Sequence, residues 1–207
     1  MNLIDMHCDT LMHLTRRPDQ DLGNTDCSIS LSGMRKAGTL AQFFACFTYL
    51  KDHTEEGGYE GCYRQALRMI ECMERQLALF PEDIALGRSY EEIMGNQSEG
   101  KISAVLTVEE GGILNGRPER LELLYEKGVR LITLLWNYEN CLGYPNSNDT
   151  KTMEKGLKRF GIEIVERMGS LGMIVDVSHA SDATFYDTLR YAKGPVAASH
   201  SNCRALC

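Results

Sequence analysis

No apolar run in this chain approaches the roughly 20 residues that a bilayer-spanning helix needs, so a transmembrane helix is excluded. There is no basic stretch with interleaved aromatics, and 29 acidic residues against 22 basic ones leave a net charge of -7. That balance disfavours a nucleic-acid partner and favours plain solubility, with no membrane partner. The first residues carry no charged region followed by an apolar core, so a cytoplasmic protein is expected, not an exported one. The cysteines at 8, 27, 46, 62, 72, 141, 203 and 207 include no Cys-x-x-Cys pair and no dense framework. They read as reduced thiols, several of them small hydrophobes inside buried elements. Internal repeats, low-complexity tracts and interdomain linkers are also missing. With 43% hydrophobic and 25% charged residues, the 207-residue chain reads as one globular domain over 1–207.

What is present is an alternation. Six apolar, β-favouring runs lie at about 2–7, 40–49, 102–109, 129–135, 172–178 and 195–199. Each is nearly continuous in apolar character, as strands covered on both faces are. Helical patterns separate them at 59–80, 118–127, 152–171 and 181–191, the second stopped by Gly128 and the last started by Ser181. The polar stretches 15–29 and 136–150 lack periodicity and flank strand ends, so they read as loops on an active face. Strand, helix, strand is the α/β signature. A closed (β/α)8 barrel has eight strands and typically about 250 residues. Six strands leave two readings: a TIM-barrel-type fragment truncated at its C-terminal side, or an open six-stranded sheet, which would expose two apolar edges that soluble proteins normally avoid.

The strand ends carry the chemistry. Leu3-Ile4-Asp5-Met6-His7-Cys8-Asp9 ends in His-x-Asp, and period-2 geometry points both side chains the same way. Imidazole and carboxylate together suit a divalent metal of zinc type. Three further strands close similarly: Val108-Glu109-Glu110-Gly111-Gly112, Asp176-Val177-Ser178-His179 and Ala198-Ser199-His200. In barrels of this kind, chemistry collects at the C-terminal ends of the strands. Asp5 and Asp176 sit inside apolar runs, where a charge needs a partner, and read as carboxylates that orient ligands. His13 and His53 fall outside these motifs and read as a helix-face or loop histidine. A phosphate cradle at Gly111-Gly112 is a weak alternative.

The ordered set His-x-Asp, Glu-Glu-Gly-Gly, Asp-Val-Ser-His and Ser-His-Ser resembles the membrane (renal-type) dipeptidases, metallopeptidase family M19, in its soluble bacterial form. The flanks Gly128-Val129-Arg130-Leu131-Ile132-Thr133-Leu134 and Ala180-Ser181-Asp182-Ala183-Thr184-Phe185 match as well. The resemblance implies a (β/α)8 barrel with two zinc ions that hydrolyses dipeptides, including those with a C-terminal D-residue, by a hydroxide bridging the metals. It implies His7 and Asp9 as ligands of one zinc, His179 and His200 as ligands of the other, and a glutamate bridging both. Glu109 and Glu110 compete for that place; an ungapped match to the downstream Gly-x-Arg-x-x-Thr-Leu segment favours Glu109 as metal ligand and catalytic group.

Two departures bear on activity. Trp136 stands where mammalian members have a substrate-contacting histidine, so Trp136 and Asn137 become the substrate-binding candidates. Asn137 is also a catalytic candidate, as a donor to a carbonyl or tetrahedral oxygen. The family's later catalytic Asp and substrate-carboxylate Arg lie beyond Cys207, so this chain alone is expected to hydrolyse dipeptides poorly. Another metal-dependent amidohydrolase is one alternative, made weaker by His-x-Asp in place of the usual His-x-His. A non-catalytic metal-binding barrel fragment is another. The sequence leaves homo-oligomer formation open.

Overall fold

A computed structural model describes residues 2–206, with Arg204 described by its backbone alone. Cys207, one of the thiols expected to be reduced, lies outside the described residues. Two units are distinguished, one of residues 1–48 and 64–107, the other of residues 49–63 and 108–207.

In the first unit, β1 (Leu3–Asp5) leads to α1 (Thr10–Arg16), α2 (Leu31–Ala37) and β2 (Thr39–Phe47). The main part of α3 (Tyr59–Leu79) follows, then β3 (Ile84–Leu86), α4 (Tyr90–Ser98) and most of β4 (Ile102–Glu109). β1 runs parallel to β2, with Ile4 opposite Ala41; β4 is the other neighbour of β2, and β3 pairs in parallel with the start of β4. The seven-residue α2 is set by its ends. The Ser30 hydroxyl accepts from the Gly33 amide, and Gly38 at φ +70° closes the helix in the left-handed region that favours glycine. Leu11, Leu14, Leu22, Phe44, Met69, Ile70, Met73 and Leu106 are fully buried here. β4 is buried along its whole length, as a strand covered on both faces should be. β1 departs from that expectation. It has β2 as its one pairing partner among the described residues, and Ile4 is 51% exposed.

In the second unit, α5 (Glu119–Glu126), β5 (Val129–Thr133), α6 (Thr150–Met153), α7 (Arg159–Leu171), β6 (Ile174–Asp176), α8 (Asp182–Tyr191) and β7 (Val196–Ala197) follow one another. β5, β6 and β7 are parallel, with Thr133 opposite Asp176 and Asp176 opposite Ala197. That register places the ends of three strands side by side. Ile113, Leu121, Leu124, Ile132, Ile164, Val165 and Met168 are among the unit's fully buried apolar residues. Buried Arg120 donates to the Ile113 carbonyl at 2.7 Å and to Glu60 at 2.6 Å, fixing the short 3-10 turn Gly111–Leu114.

The sequence predicts one helix over 152–171, but the structure has two. The Asp187 carboxylate accepts from the Leu157 amide at 3.0 Å, and the Lys158 amide donates to the Leu142 carbonyl at 2.8 Å. These bonds take up amides that a continuous helix would need for itself. β3 and the helices α1, α2 and α4 are additions to the predicted pattern. The runs at 172–178 and 195–199 shorten to three and two strand residues, because their last residues turn into the site loops.

Candidate metal centre

Asp176 ends β6 fully buried, and its carboxylate gathers three strand ends. Oδ1 accepts from the Ser178 amide at 3.0 Å, the Ser178 hydroxyl at 2.8 Å and the Ser199 amide at 3.0 Å. Oδ2 accepts from the Thr133 hydroxyl at 2.7 Å and the Ser199 hydroxyl at 2.6 Å. Burial alone would raise this carboxyl's pKa, but the bonds from Ser199, Thr133 and Ser178 outweigh it and hold the pKa below the ordinary aspartate value. Asp176 is therefore an anion by construction, and the segments after β6 and β7 are tied to it.

That anchor decides the state of His200. The Ser199 hydroxyl has one proton, which goes to the acceptor-only Asp176 carboxylate. Toward His200 Nδ1, 2.7 Å away, the same oxygen must then accept, so Nδ1 carries the ring proton. In the neutral ring the Nε2 lone pair is left to face the centre. Nε2 lies 2.9 Å from His179 Nε2 and 3.4 Å from Glu109 Oε1, and His179 Nε2 lies 3.2 Å from the same oxygen. His179 is presented by a tight turn: its φ is +65°, a region an L-residue occupies only when its surroundings impose it. The Asn146 amide holds its carbonyl at 2.7 Å, and the Ser181 hydroxyl caps α8 through the Thr184 amide at 3.0 Å.

The donor set fits a divalent cation. Zinc bonds of about 2.0–2.1 Å to N and O in a tetrahedron put the ligand atoms about 3.3 Å apart. The three separations here, 2.9, 3.2 and 3.4 Å, bracket that edge.

Glu109 and Glu110 part company at the end of β4. Glu109 is 3% exposed and faces the two histidines. Glu110 turns elsewhere: its Oε2 accepts from the Trp136 amide at 3.1 Å and from Asn140 Nδ2 at 3.3 Å. Burial pushes the Glu110 carboxyl up to about 7, against the lowering effect of Tyr59, the Trp136 amide and Asn140. Asn140 also donates to the Leu134 carbonyl and accepts from the Leu142 amide, pinning the loop after β5. The ring of Trp136 sits 6.4 Å from that of His179, edge-on to Tyr49 and Tyr138 at 5.2 and 5.8 Å. Asn137 is exposed, and among the described residues no hydrogen bond joins it to the Glu109–His179–His200 group. A cavity of about 480 Å³ opens beside His179 and His200, lined also by Asn146, Phe185, Tyr186 and Asn202.

In the first unit, β1 stops at Asp5, short of the predicted run 2–7, so strand alternation does not reach His7 and Asp9. His7 Nε2 nevertheless lies 3.5 Å from Asp9 Oδ1 across the turn into α1. Asp9 occupies the N-cap of α1 but makes no capping bond with its carboxylate. The Cys8 carbonyl accepts from the Ala45 amide at 2.9 Å, and Asp5 Oδ1 accepts from the His7 amide at 3.2 Å, which locks the backbone beneath the pair.

Asn140, Tyr49, Tyr138 and Tyr59 escaped the sequence reading. Asn140 carries an Asx-turn signal, since its side chain bonds amides two and three residues on. The tyrosines carry none.

A family model described as membrane dipeptidase (peptidase family M19) matches residues 1–207. The chain belongs to that family. Dipeptidase 3 of Rattus norvegicus is 31% identical to it over 217 residues, which take in 99% of this chain and 42% of the rat protein. A protein of Acinetobacter calcoaceticus encoded in a PQQ-III 3' region is 29% identical over 86% of this chain and 62% of its own length. A metallopeptidase from Rhodobacter sphaeroides, solved with a phosphinate mimic of the dipeptide L-Ala-D-Ala, superimposes with a TM-score of 0.85 at 20% identity. That likeness covers 99% of this chain and 66% of the other, and it shows the fold: α/β, part of the M19 (β/α) barrel. The chain thus spans between 42% and 66% of these three proteins. M19 is a metallopeptidase family, which implies a metal cofactor. Among the described residues no helix is long and apolar enough to cross a membrane.

Proposed function

We propose that this chain carries the ligands of a two-zinc dipeptidase. His179, His200 and Glu109 hold one ion, and His7 and Asp9 supply ligands to another. The observation that carries the reading is the convergence of three ligand atoms at separations of 2.9–3.4 Å, with His200 locked in the ligating tautomer through Ser199 and Asp176. Bound zinc would supply Lewis acidity, lowering the pKa of water and polarising a peptide carbonyl.

The protein's own groups do the positioning. Asp176 and Ser199 set the tautomer of the neutral His200 ring, with the proton on Nδ1 and the lone pair on Nε2. Glu109, buried and flanked by two imidazoles, provides fixed negative charge at the centre. Trp136 gives an apolar wall beside His179, and Asn137 is the donor for a substrate oxygen. A cavity of about 480 Å³ falls within the range of small-molecule sites and suits a dipeptide. The mimic of L-Ala-D-Ala bound by the Rhodobacter sphaeroides relative supports dipeptides with a C-terminal D-residue as substrates. Buried thiols such as Cys46, Cys62 and Cys72 support the cytoplasm as its compartment.

Zinc-loaded protein and its H179A and H200A variants should be assayed for metal content and for release of alanine from L-Ala-D-Ala. The reading expects each variant to lose about one zinc relative to the parent, with any hydrolysis falling in step. Unchanged zinc content in both variants would overturn it.

A further inference from the structure

His13, read from the sequence as a helix-face or loop histidine, has partners. It lies on α1, and its Nε2 is 2.9 Å from Asp26 Oδ1 and 2.9 Å from Gln20 Oε1. Ligand atoms of His13, Asp26 and Cys27 all fall within 4.8 Å of one another. The loop that brings them together is built to hold. Leu22 is fully buried, its amide donates to Gln76 Oε1 at 2.8 Å, and its carbonyl accepts from the Leu31 amide at 2.8 Å. Asp21 Oδ1 takes the Gly23 and Asn24 amides, both at 2.8 Å, turning the chain back. The Thr25 hydroxyl donates to Gln20 Oε1 at 3.1 Å and accepts from the Cys27 amide at 3.1 Å, which sets Cys27 beside the pair.

One imidazole nitrogen facing two acceptor oxygens is over-subscribed, because a single N–H cannot serve both well. A cation at that point would satisfy the nitrogen, both oxygens and the thiol sulfur together. Imidazole, carboxylate and thiolate form a mixed borderline set of the zinc class; hard cations such as magnesium would not choose the sulfur.

We propose that His13, Asp26 and Cys27, with Gln20 Oε1 alongside, form a further divalent-cation site of zinc type that pins the loop between α1 and α2. It shares no residue with the Glu109–His179–His200 group or with His7 and Asp9. Binding forms a metal–sulfur bond and releases the Cys27 thiol proton to solvent, while the His13 proton resides on Nδ1.

Cobalt(II) is the probe of choice, because the ligands proposed above for the dipeptidase centre include no sulfur. Titrating metal-free protein with cobalt should produce a near-ultraviolet thiolate-to-cobalt charge-transfer band and release about one proton with it. The band should vanish in C27S and survive in H200A. In unmutated protein, zinc should slow alkylation of Cys27 by at least about 10-fold while leaving exposed Cys203 unaffected. No charge-transfer band, a band that persists in C27S, or equal alkylation of Cys27 with and without zinc would each overturn the proposal. Because H200A removes a ligand of the other centre, failure of that centre and failure of this site give different spectra.

Discussion

Replacing Ser199 by alanine removes one oxygen that does two things. Its hydroxyl donates to Asp176 Oδ2 at 2.6 Å and accepts from His200 Nδ1 at 2.7 Å. On the Asp176 side, the carboxylate keeps the Ser178 amide and hydroxyl, the Thr133 hydroxyl and the Ser199 amide, so the anion stays well solvated by protein. Losing one charge-assisted bond from a buried carboxylate then costs about 1.5–3 kcal/mol of folding stability. On the His200 side, the ring loses the group that fixes its tautomer and rotation. Outer partners of metal-binding histidines typically contribute 10- to 100-fold in metal affinity, or about 1.4–2.7 kcal/mol. Competitive titration of zinc against a chromogenic chelator reads that loss directly, and urea denaturation of the metal-free protein reads the stability term separately. A zinc affinity in S199A within about twofold of the parent would refute the argument that the Asp176–Ser199–His200 relay prepares the ligand.

The two adjacent glutamates should separate cleanly: E109Q loses zinc from the histidine pair, whereas E110Q retains it, as metal analysis of both proteins will show. Glu110 also makes a pH prediction. Burial raises its folded pKa to about 7 from 4.5, so between those values the folded metal-free protein holds a proton that the unfolded chain releases. Stability from this group is therefore full below about pH 4.5 and falls by a few kcal/mol as pH rises through 7; E110Q should flatten that slope in urea titrations across pH. Burial likewise raises the Cys46 thiol well above its ordinary value of 9.0, and Cys62 and Cys72 are buried beside other apolar groups. Mass spectrometry after alkylation at neutral pH should find Cys203 modified and these three intact, and the Cys46 contribution to stability should decline above about pH 9. Finally, a β-carbon at Gly161 would collide with the Leu142 carbonyl, so G161A should lower stability by about 1–3 kcal/mol in chemical denaturation.

The candidate ligands could be picked out of the chain because each lies shortly after an apolar run. His7, Asp9, His179 and His200 each follow an apolar run, and one rule, chemistry at the C-terminal strand ends, finds them all. Asp176 was legible for a related reason, since a carboxylate inside an apolar strand has to have partners. The choice between Glu109 and Glu110 was not legible from the local pattern. Adjacent residues at a strand end point to opposite sides, and only the surroundings, histidines on one side and the Trp136 amide on the other, distinguish them. Asn140 and Tyr49 work through loop contacts that no periodicity encodes. The break between α6 and α7 depends on Asp187, 30 residues on from the Leu157 amide it accepts, so local pattern ran straight through it. β3 escaped because three residues are too few to establish a period. His13 read as incidental because its partners Asp26 and Gln20, and nearby Cys27, sit on a loop whose path is set by the burial of Leu22.

The most direct test of the central claim is an anomalous difference map, recorded above the zinc absorption edge, from crystals of the zinc-loaded protein. The account predicts a peak within about 2.0–2.2 Å of Glu109 Oε1, His179 Nε2 and His200 Nε2 together. A zinc-loaded crystal in which those three atoms surround no anomalous scatterer would contradict it.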